Sequence, residues 1–436
     1  METVIPINLE RMHLFGADIN VCMMAEIDIK VQKTTIEQAV KALTKRHPLL
    51  TAGIFFDENN NAHYRLQRSR PISVDYYEEI NGDEWKNWIL HQNALLFDFE
   101  NGPLLRIFAG VRDGKSTFAL LGHHLLGDGL SFLYLLRDFL LALENNLPNE
   151  QITPRILTGA ADFPRKAQMR GLTKVLVKSL NRAYRAKGKR YTTSDFTALH
   201  QRIHRTRQPN FCDFYLSKSE TSALVKQCRQ QDVTVNEAIT AAFMSARQNA
   251  GNTSDYLGIA CSVRNEVKNA PGESMGNFVS GISVSAEYNR EISFWDNARR
   301  LQSLLSLRLK DSKQRMVALA FLDLLDKNLI DSMNFFPVEE NITKPTKIVC
   351  GKLCGTPYDR GLGVSNLGKH EFVYNTFRVV NCLFIPPLFF QNDFIVSALT
   401  INSRLAICLR YIGAELTAEM VERQFQNAKE LLFSES

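Results

Sequence analysis

The sequence has no run of about 18 apolar residues, so it predicts no membrane-spanning helix. Residues 1–6 lack the positively charged and then apolar layout of a signal peptide, and we therefore expect a cytoplasmic protein. No G-x-x-x-x-G-K-S/T loop occurs, which disfavours the nucleotide-dependent enzymes built on that loop. The sequence also contains no short-period repeat and no low-complexity tract.

Cysteine is sparse, with eight residues scattered along a chain of 436. This usage is typical of reduced, buried thiols in a cytosolic protein rather than of a disulfide framework. Cys350 and Cys354 form the only close pair in the sequence. No second pair and no histidine at finger spacing accompany them, so they are a weak signal for a metal site.

Strong charge of either sign is also lacking, since 52 Lys and Arg face 46 Asp and Glu, for a net charge of +6. Such a mild balance does not indicate a nucleic-acid partner, and we expect none. The hydrophobic fraction of 45% and the charged fraction of 22% are typical of a soluble globular protein. A chain of 436 residues is too long for one ordinary core, so about two or three domains are expected.

Helical and extended patterns alternate in both halves of the chain, which predicts an α/β or α+β fold with two sheets. The sequence turns irregular, with several prolines, between the two halves. We expect an N-terminal subdomain over residues 1–160, a basic linker and helix over residues 161–205, and a C-terminal subdomain over residues 206–436.

The linker has an unusual composition, because residues 165–190 contain ten Lys or Arg and no acidic residue. Helical spacing predicts one basic amphipathic helix here, with an apolar stripe made of Leu172, Val175, Leu176, Leu180 and Ala183. A solvated helix that bridges two domains is the simplest interpretation. A phosphate-bearing partner or an anionic membrane surface remains an alternative.

The most informative stretch is residues 123–131, with the sequence HHLLGDGLS. It joins an apolar run at residues 118–121, which predicts a buried strand, to a helical pattern at residues 132–143. Loops held between rigid elements are common positions for chemistry. Histidine is the side chain best suited to accept a proton near neutral pH. General-base catalysis by one of the two histidines is therefore the favoured interpretation.

Two other interpretations of this stretch stay open. His124 and Asp128 stand four positions apart, a spacing that converges on a metal ion when both residues lie on a helix. Gly127 and Gly129 argue against a helix here, and no third ligand is identifiable. The histidines could instead be structural residues with satisfied hydrogen bonds. Asp128 could orient a histidine or hold the loop through a salt bridge.

The HHxxxDG pattern of residues 123–129 resembles the signature of the chloramphenicol acetyltransferase-like superfamily. That superfamily includes the condensation domains of nonribosomal peptide synthetases and free-standing alcohol O-acyltransferases. Further similar segments occur in the family's order, at residues 46–55, 97–106, 275–280 and 364–368. The chain departs from the pattern at Thr51, where an arginine is usual, and at Ser280, where another polar residue is usual.

This resemblance implies two acetyltransferase-like subdomains, each a mixed sheet flanked by helices, arranged as a V with a tunnel between them. It implies that His124 is the general base. The residues that hold the site would be His123, Asp128, Gly129 and Arg264, with Asp128 paired to Arg264. The residues that line the tunnel and bind substrate would be Asn277, Ser365 and Asn366.

The resemblance further implies an acyltransferase that moves an acyl group from a thioester to a hydroxyl or amine acceptor, without a metal or a permanently bound cofactor. The co-substrate would be acyl-CoA or an acyl-phosphopantetheine. Acyl-CoA is favoured because no adenylation or carrier segment is recognisable in the chain. Carrier-protein-dependent condensation, with an acyl carrier protein as partner, and a non-catalytic binding module are the alternatives. We expect a monomer.

Overall fold

The computed structural model describes residues 3–67, 69–169, 171–353, 361–389 and 392–434. Strands and helices alternate along these ranges, as the sequence predicts. The strands are β1 (Val4–Ile7), β2 (Val21–Ile27), β3 (Gly53–Phe56), β4 (Ala62–Arg65), β5 (Val74–Tyr77), β6 (Leu105–Arg112), β7 (Lys115–Gly122), β8 (Pro209–Tyr215), β9 (Tyr256–Ser262), β10 (Val279–Ser285), β11 (Gly361–His370), β12 (Val379–Ile385), β13 (Asn392–Ile401) and β14 (Arg404–Ile412).

The α-helices of the described ranges are α1 (Arg11–Leu14), α2 (Lys33–Arg46), α3 (Glu84–Asn93), α4 (Gly129–Leu143), α5 (Leu172–Lys187), α6 (Thr193–Arg207), α7 (Lys218–Gln230), α8 (Val235–Asn249), α9 (Phe294–Leu309), α10 (Ser312–Leu322), α11 (Lys327–Phe335), α12 (Lys344–Leu353) and α13 (Ala418–Phe433). None of these helices is both long enough and apolar enough to cross a membrane.

Each half of the chain supplies most strands of one mixed sheet. The first has the strand order β12-β2-β7-β6-β5, with β5 parallel to β6 and the other pairs antiparallel. The second has the order β10-β9-β11-β13-β14-β8, with β11 parallel to both of its neighbours. A small antiparallel sheet, β1-β4-β3, adds a third layer. The predicted mixed α/β class is confirmed.

Strand β12 comes from the second half of the chain but pairs with β2 in the first sheet, with Leu383 opposite Met24. The composition of β12 resembles that of its neighbours in sequence, so nothing in the pattern indicates this crossover. The division at residues 160 and 206 stays a prediction, and β12 ties the two halves together across it.

The hairpin β6-β7 positions the candidate loop. Asp113 and Gly114 connect the two strands with φ angles of +51° and +74°, the conformation that a two-residue type I′ turn requires. Strand β7 lies between β2 and β6, and the residues from Phe118 to its end are buried. His123 follows this strand directly, so the loop is fixed at the end of a central strand.

Helix α5 forms as predicted, but it buries a different face. Val177, Leu180 and Tyr184 are buried in the structure, whereas most of the predicted apolar stripe is exposed. The reason is that α5 packs through the i, i+3, i+7 set of Val177, Leu180 and Tyr184, which leaves Val175 on the opposite side of the helix and Leu172 on its flank.

Candidate active site

Residues from both halves line one cavity of about 210 Å³, which is larger than the ~150 Å³ cavity known to hold benzene. His124 and Gly129 contribute from the first half, and Asn277, Ser280 and Ser365 from the second. Apolar side chains of α10 complete part of the wall. The candidate site therefore exists only where the two halves meet.

Asn277 fixes the tautomer of the His124 imidazole. Its Nδ2 donates to the carbonyl oxygen of His124 over 2.8 Å and to Oε1 of Glu10 over 3.2 Å. The amide oxygen, Oδ1, is then the atom that lies 2.7 Å from Nδ1 of His124, so Nδ1 carries the hydrogen and donates it. The Nε2 atom is left with the lone pair, which is the form a general base needs.

His13 stacks on His124, with ring centroids 4.1 Å apart and planes only 2° from parallel. Both rings are buried and both line the cavity. Burial lowers the pKa of His124, and burial together with the neighbouring histidines lowers the pKa of His13 well below its usual value. Both imidazoles are therefore neutral at neutral pH.

Glu10 is buried and contacts Asn277. Its Oε1 accepts from the backbone N–H of Asn277 over 3.1 Å. The Tyr64 hydroxyl oxygen lies 2.8 Å from both Glu10 Oε2 and the carbonyl oxygen of Leu125. A hydroxyl has one proton and Leu125 O can only accept, so a neutral Glu10 that donates to Tyr64 satisfies all three atoms. Burial agrees with this, since it raises the pKa of Glu10 to about 7.

Neither Glu10 nor His13 is predicted from the sequence. The helix that follows Glu10 is only four residues long, too short for a recognisable periodicity. The fold alone brings these residues to a histidine more than a hundred positions away.

Asp128 holds the loop at the start of α4. Its Oδ1 accepts from the backbone N–H of Ser131 over 2.8 Å, which caps the helix. The same oxygen accepts from Nη2 of Arg264 over 3.0 Å, and Oδ2 accepts from the backbone N–H of Phe278 over 2.8 Å. Neither side chain of the Asp128–Arg264 pair is more than 6% exposed. The carboxylate thus ties the histidine loop to the second half.

Arg264 extends this connection to the segment before Asn277. Its Nη1 donates to the carbonyl oxygens of Gly272 and Ser274, and its Nη2 donates to Oγ of Ser131 over 2.6 Å. The guanidinium also lies over the Phe278 ring, 4.5 Å from its centroid. These contacts place one cation between the loop that carries His124 and the segment that carries its partner.

Glycine is required at two positions of the loop because other chain segments approach closely. A Cβ atom at Gly127 would lie 2.4 Å from Cβ of Ser131, and one at Gly129 would lie 2.9 Å from ring carbon Cζ of Phe384. Gly129 also lines the cavity. A larger residue at either position would displace the loop.

His123 is buried but is not among the residues that line the cavity. Its Nδ1 accepts from the backbone N–H of Leu125 over 3.2 Å. Its ring meets those of Phe97 and Phe99 edge-on, and burial lowers its pKa to about 3. Its surroundings fit a structural residue.

The proposed substrate-binding residues of β11 have different positions. Ser365 lines the cavity, but Asn366 does not. Asn366 is exposed, and its Oδ1 accepts from the backbone N–H of Gly368 over 2.8 Å. Successive side chains of a strand point to opposite faces, so the neighbours cannot both face the cavity. The structure therefore gives no support to a substrate contact by Asn366.

Ser280 is one of the residues that line the cavity. Its Oγ is buried, and it has no hydrogen-bond partner among the described residues. A buried hydroxyl without a partner is rare and costly. Ser280 is therefore a lining residue whose hydroxyl is not engaged by any described residue.

Ser274 lies in a G-x-S-x-G pentapeptide, residues 272–276, the pattern of a hydrolase nucleophile elbow. Its Oγ accepts from the backbone N–H of Arg155 and donates to a backbone carbonyl, and the residue does not line the cavity. The carbonyl oxygen of Ser274 accepts from Arg264. This serine therefore stabilises the loop and is not placed as a nucleophile.

Across the described ranges, no three His, Cys, Asp or Glu side chains are arranged to hold a metal ion. Nδ1 of His124 faces Asn277, and Asp128 faces Arg264, so the two candidate ligands do not converge. Cys354, half of the close cysteine pair, lies outside the described residues, and Cys350 is buried.

The fold is that of the two-subdomain, chloramphenicol acetyltransferase-like proteins. The structure of TRI3 trichothecene 15-O-acetyltransferase from Fusarium sporotrichioides matches with a TM-score of 0.67 and 11% identity, over 98% of this chain and 93% of that one. The first condensation domain of the CDA synthetase matches with a TM-score of 0.63 and 13% identity, over 99% and 96%. Identities this low establish the fold alone.

The family model of the condensation domain matches residues 9–313, more than half of the chain. This chain belongs to the condensation-domain family, and the resemblance predicted from the sequence is confirmed.

Curated relatives match over shorter stretches. Nonribosomal peptide synthetase 32 of Fusarium pseudograminearum is 26% identical over 125 residues, 28% of this chain and 1% of the relative. Nonribosomal peptide synthetase cm3A of Cordyceps militaris is 24% identical over 141 residues, 30% of this chain and 3% of the relative. The matched region is thus a very small part of either relative.

Proposed function

We propose that this chain transfers an acyl group from a thioester on the phosphopantetheine arm of a carrier protein to an amine or hydroxyl acceptor, with His124 as the general base. The observation that carries the proposal is the hydrogen bond between Nδ1 of His124 and Asn277. It leaves the lone pair on Nε2, and the His124 ring lines the cavity between the two halves.

The proposed reaction is balanced without another reactant. Nε2 of His124 takes the proton of the acceptor N–H or O–H as that atom attacks the thioester carbonyl carbon. The carbon–sulfur bond of the tetrahedral intermediate then breaks. The imidazolium returns the proton to the departing thiolate, so the products are an amide or ester and a free thiol.

Two features of the site support this chemistry. The Asp128 carboxylate favours the charged imidazolium that forms in the reaction. The hydroxyl of Ser280, a lining residue, has no partner among the described residues, and we assign it as the donor to the developing oxyanion, the type of group that stabilises such a transition state. Much of the remaining rate would come from holding donor and acceptor together in the cavity.

Family membership supports a tethered donor over the acyl-CoA donor that the sequence favoured. The matched relatives are nonribosomal peptide synthetases, and the family model is that of the condensation domain. A donor held on a carrier protein fits this family, so we replace the acyl-CoA expectation with a carrier-bound donor.

A second candidate is acyl-CoA-dependent O-acylation. The observation behind it is the likeness of fold to the trichothecene 15-O-acetyltransferase, with a TM-score of 0.67. The catalytic step at His124 would be the same, and only the thiol that carries the acyl group would differ.

The test is thiol release from one acyl group presented on a holo-carrier protein, on coenzyme A and on pantetheine, each with a panel of amines and alcohols. The proposal predicts acceptor-dependent thiol release with the highest kcat/KM for the carrier-bound donor. A higher kcat/KM for acyl-CoA would select the second candidate. No acceptor-dependent release with any donor would overturn both in favour of a non-catalytic binding module.

A further inference from the structure

Helix α5 is anchored to the protein along one side only. Val177, Leu180 and Tyr184 are buried on that side. Asn181 completes the anchor, since its Nδ2 donates to the carbonyl oxygen of Leu324 over 2.8 Å and its Oδ1 accepts from the backbone N–H of Asp326 over 2.9 Å. The side of α5 opposite Leu180 faces outward.

That outward side exposes large apolar side chains. Leu172 is 88% exposed and Val175 is 66% exposed, and Leu176, one turn before Leu180 at the edge of this side, is 44% exposed. Neighbouring apolar residues at helical spacing that remain exposed together mark interaction surfaces more often than chance. We define the α5 outer face as the exposed residues Leu172, Val175, Leu176, Lys178, Ser179, Arg182, Ala183 and Ala186.

The α5 outer face is also basic. Lys178 and Arg182 follow Val175 by three and seven positions, so they lie beside it on the helix surface. Both are exposed, and neither forms an ion pair with any residue that the structure describes. No acidic residue occurs in residues 165–190 to balance them. The face thus combines apolar contact area with uncompensated positive charge.

Helix α5 is connected to elements that form part of the cavity wall. Helix α5 is bonded to residues 324–326, which connect α10 to α11. Leu319 and Leu322 of α10 and Met333 of α11 line the cavity. The buried side of α5 shares one hydrophobic core cluster with these three residues, so α5 and this part of the cavity wall belong to the same packed core.

We propose that the α5 outer face docks the carrier protein that brings the acyl donor, through an acidic helix with an apolar stripe. This inference rests on the proposed function, because it assigns a surface to the partner that the function requires. Positive potential on this face steers an acidic partner and raises its association rate. The apolar residues then supply the contact area that charge alone does not.

The shape of the face favours a protein partner over a membrane surface. A helix that inserts into a membrane presents its widest apolar side to the lipid, whereas α5 packs Val177, Leu180 and Tyr184 against its own protein. Beyond Leu176 the outward stripe continues through Ser179, Ala183 and Ala186. Such small residues allow another helix to approach closely.

The test uses the full chain and the double variant Lys178→Glu/Arg182→Glu, whose side chains are exposed, so the fold should not change. The donor is one acyl group, presented on an acidic holo-carrier protein or on free pantetheine. The control is Lys41→Glu/Lys45→Glu, which makes the same charge reversal at the same spacing on the exposed side of α2. A second variant, Leu172→Ser/Val175→Ser, removes the apolar contact and keeps the charge.

We expect both α5 variants to lose about tenfold or more of kcat/KM with the carrier-bound donor, through KM. The acyl-pantetheine donor and the α2 control should show wild-type values. The wild-type value with the carrier should fall as salt rises.

Unchanged kcat/KM of the α5 variants with the carrier-bound donor would overturn the docking surface and leave the proposed function standing. Absence of turnover by the wild type with either donor would instead contradict the proposed function. Co-sedimentation of the wild type, but not the α5 variants, with phosphatidylserine vesicles, together with an unaffected carrier reaction, would assign the face to a membrane and overturn the docking proposal.

Discussion

Oδ1 of Asn277 lies 2.7 Å from Nδ1 of His124, although the two residues stand 153 positions apart in the chain. The histidine belongs to the loop after β7, and the asparagine directly precedes β10. The contact between the halves thus selects the tautomer of the candidate base. Asn277 was expected to bind substrate, but its amide nitrogen and oxygen are already bonded to His124 and Glu10.

Asn277→Ala should lower kcat by about 10- to 100-fold with little change in KM, because His124 loses its orienting partner. The measurement is steady-state acyl transfer together with nitrogen NMR of the His124 ring, which reports the tautomer. Asn381→Ala is the matched control, since it removes another Asn–Glu hydrogen bond in β12, outside the cavity lining. An unchanged tautomer and kcat in the Asn277 variant would exclude the orienting role.

Arg264→Ala should destabilise the protein by about 3–5 kcal/mol, because it leaves the buried Asp128 carboxylate without its cation. Urea unfolding of the wild type and the variant measures this difference. The control is Arg423→Ala, whose ion pair with Glu419 is 74% and 85% exposed and should contribute about 0.5 kcal/mol or less. Equal effects of the two substitutions would contradict the structural importance of the Asp128–Arg264 pair.

Glu10 should make stability depend on pH in a specific window. Its pKa is raised from 4.5 to about 7 by burial, so the folded state holds a proton that the unfolded state releases. The stabilisation is complete below pH 4.5 and is lost as pH rises through about 7. It corresponds to roughly 3 kcal/mol.

The measurement is the difference in free energy of unfolding between the wild type and Glu10→Gln on either side of that window. Taking the difference cancels the contributions of the buried histidines, whose lowered pKa values act in the opposite direction. A difference that is the same at both pH values would show that Glu10 is not protonated when folded.

On the acid side, kcat/KM should fall to half of its maximum at a pH below 6.5, the ordinary pKa of histidine. The reason is that burial lowers the pKa of His124. The neutral ring is the active form, so a lowered pKa extends full activity to lower pH. The plot of log kcat/KM against pH measures the midpoint, and Glu10→Gln removes the titration of the nearby carboxyl group. A midpoint above 6.5 in that variant would contradict the structural account.

The sequence predicted the parts of the site that local pattern encodes. The apolar run at residues 118–121, the helical spacing after it and the glycines define a strand, turn and helix, and these elements are present. The pairing of Asp128 with Arg264 came from the resemblance and not from spacing. Their atoms lie 3.0 Å apart in the structure.

The remaining parts depend on contacts that no local pattern carries. Glu10 and His13 reach the site from a four-residue helix, and β12 joins the sheet of the other half. The buried side of α5 was mispredicted, because Leu172 and Val177 are both apolar and only tertiary packing, which includes α12, decides which one is covered. Tertiary contact overrides local amphipathicity in such cases.

The most direct test of the account is single-turnover acyl transfer by His124→Asn, with thiol release from a carrier-bound acyl donor as the signal. His91→Asn, at an exposed position of α3, is the control for the substitution itself. We predict that the His124 variant folds and binds donor but transfers acyl groups about 10²- to 10⁴-fold more slowly, while the control matches the wild type. A near-wild-type rate in the His124 variant would contradict the assignment of His124 as the general base.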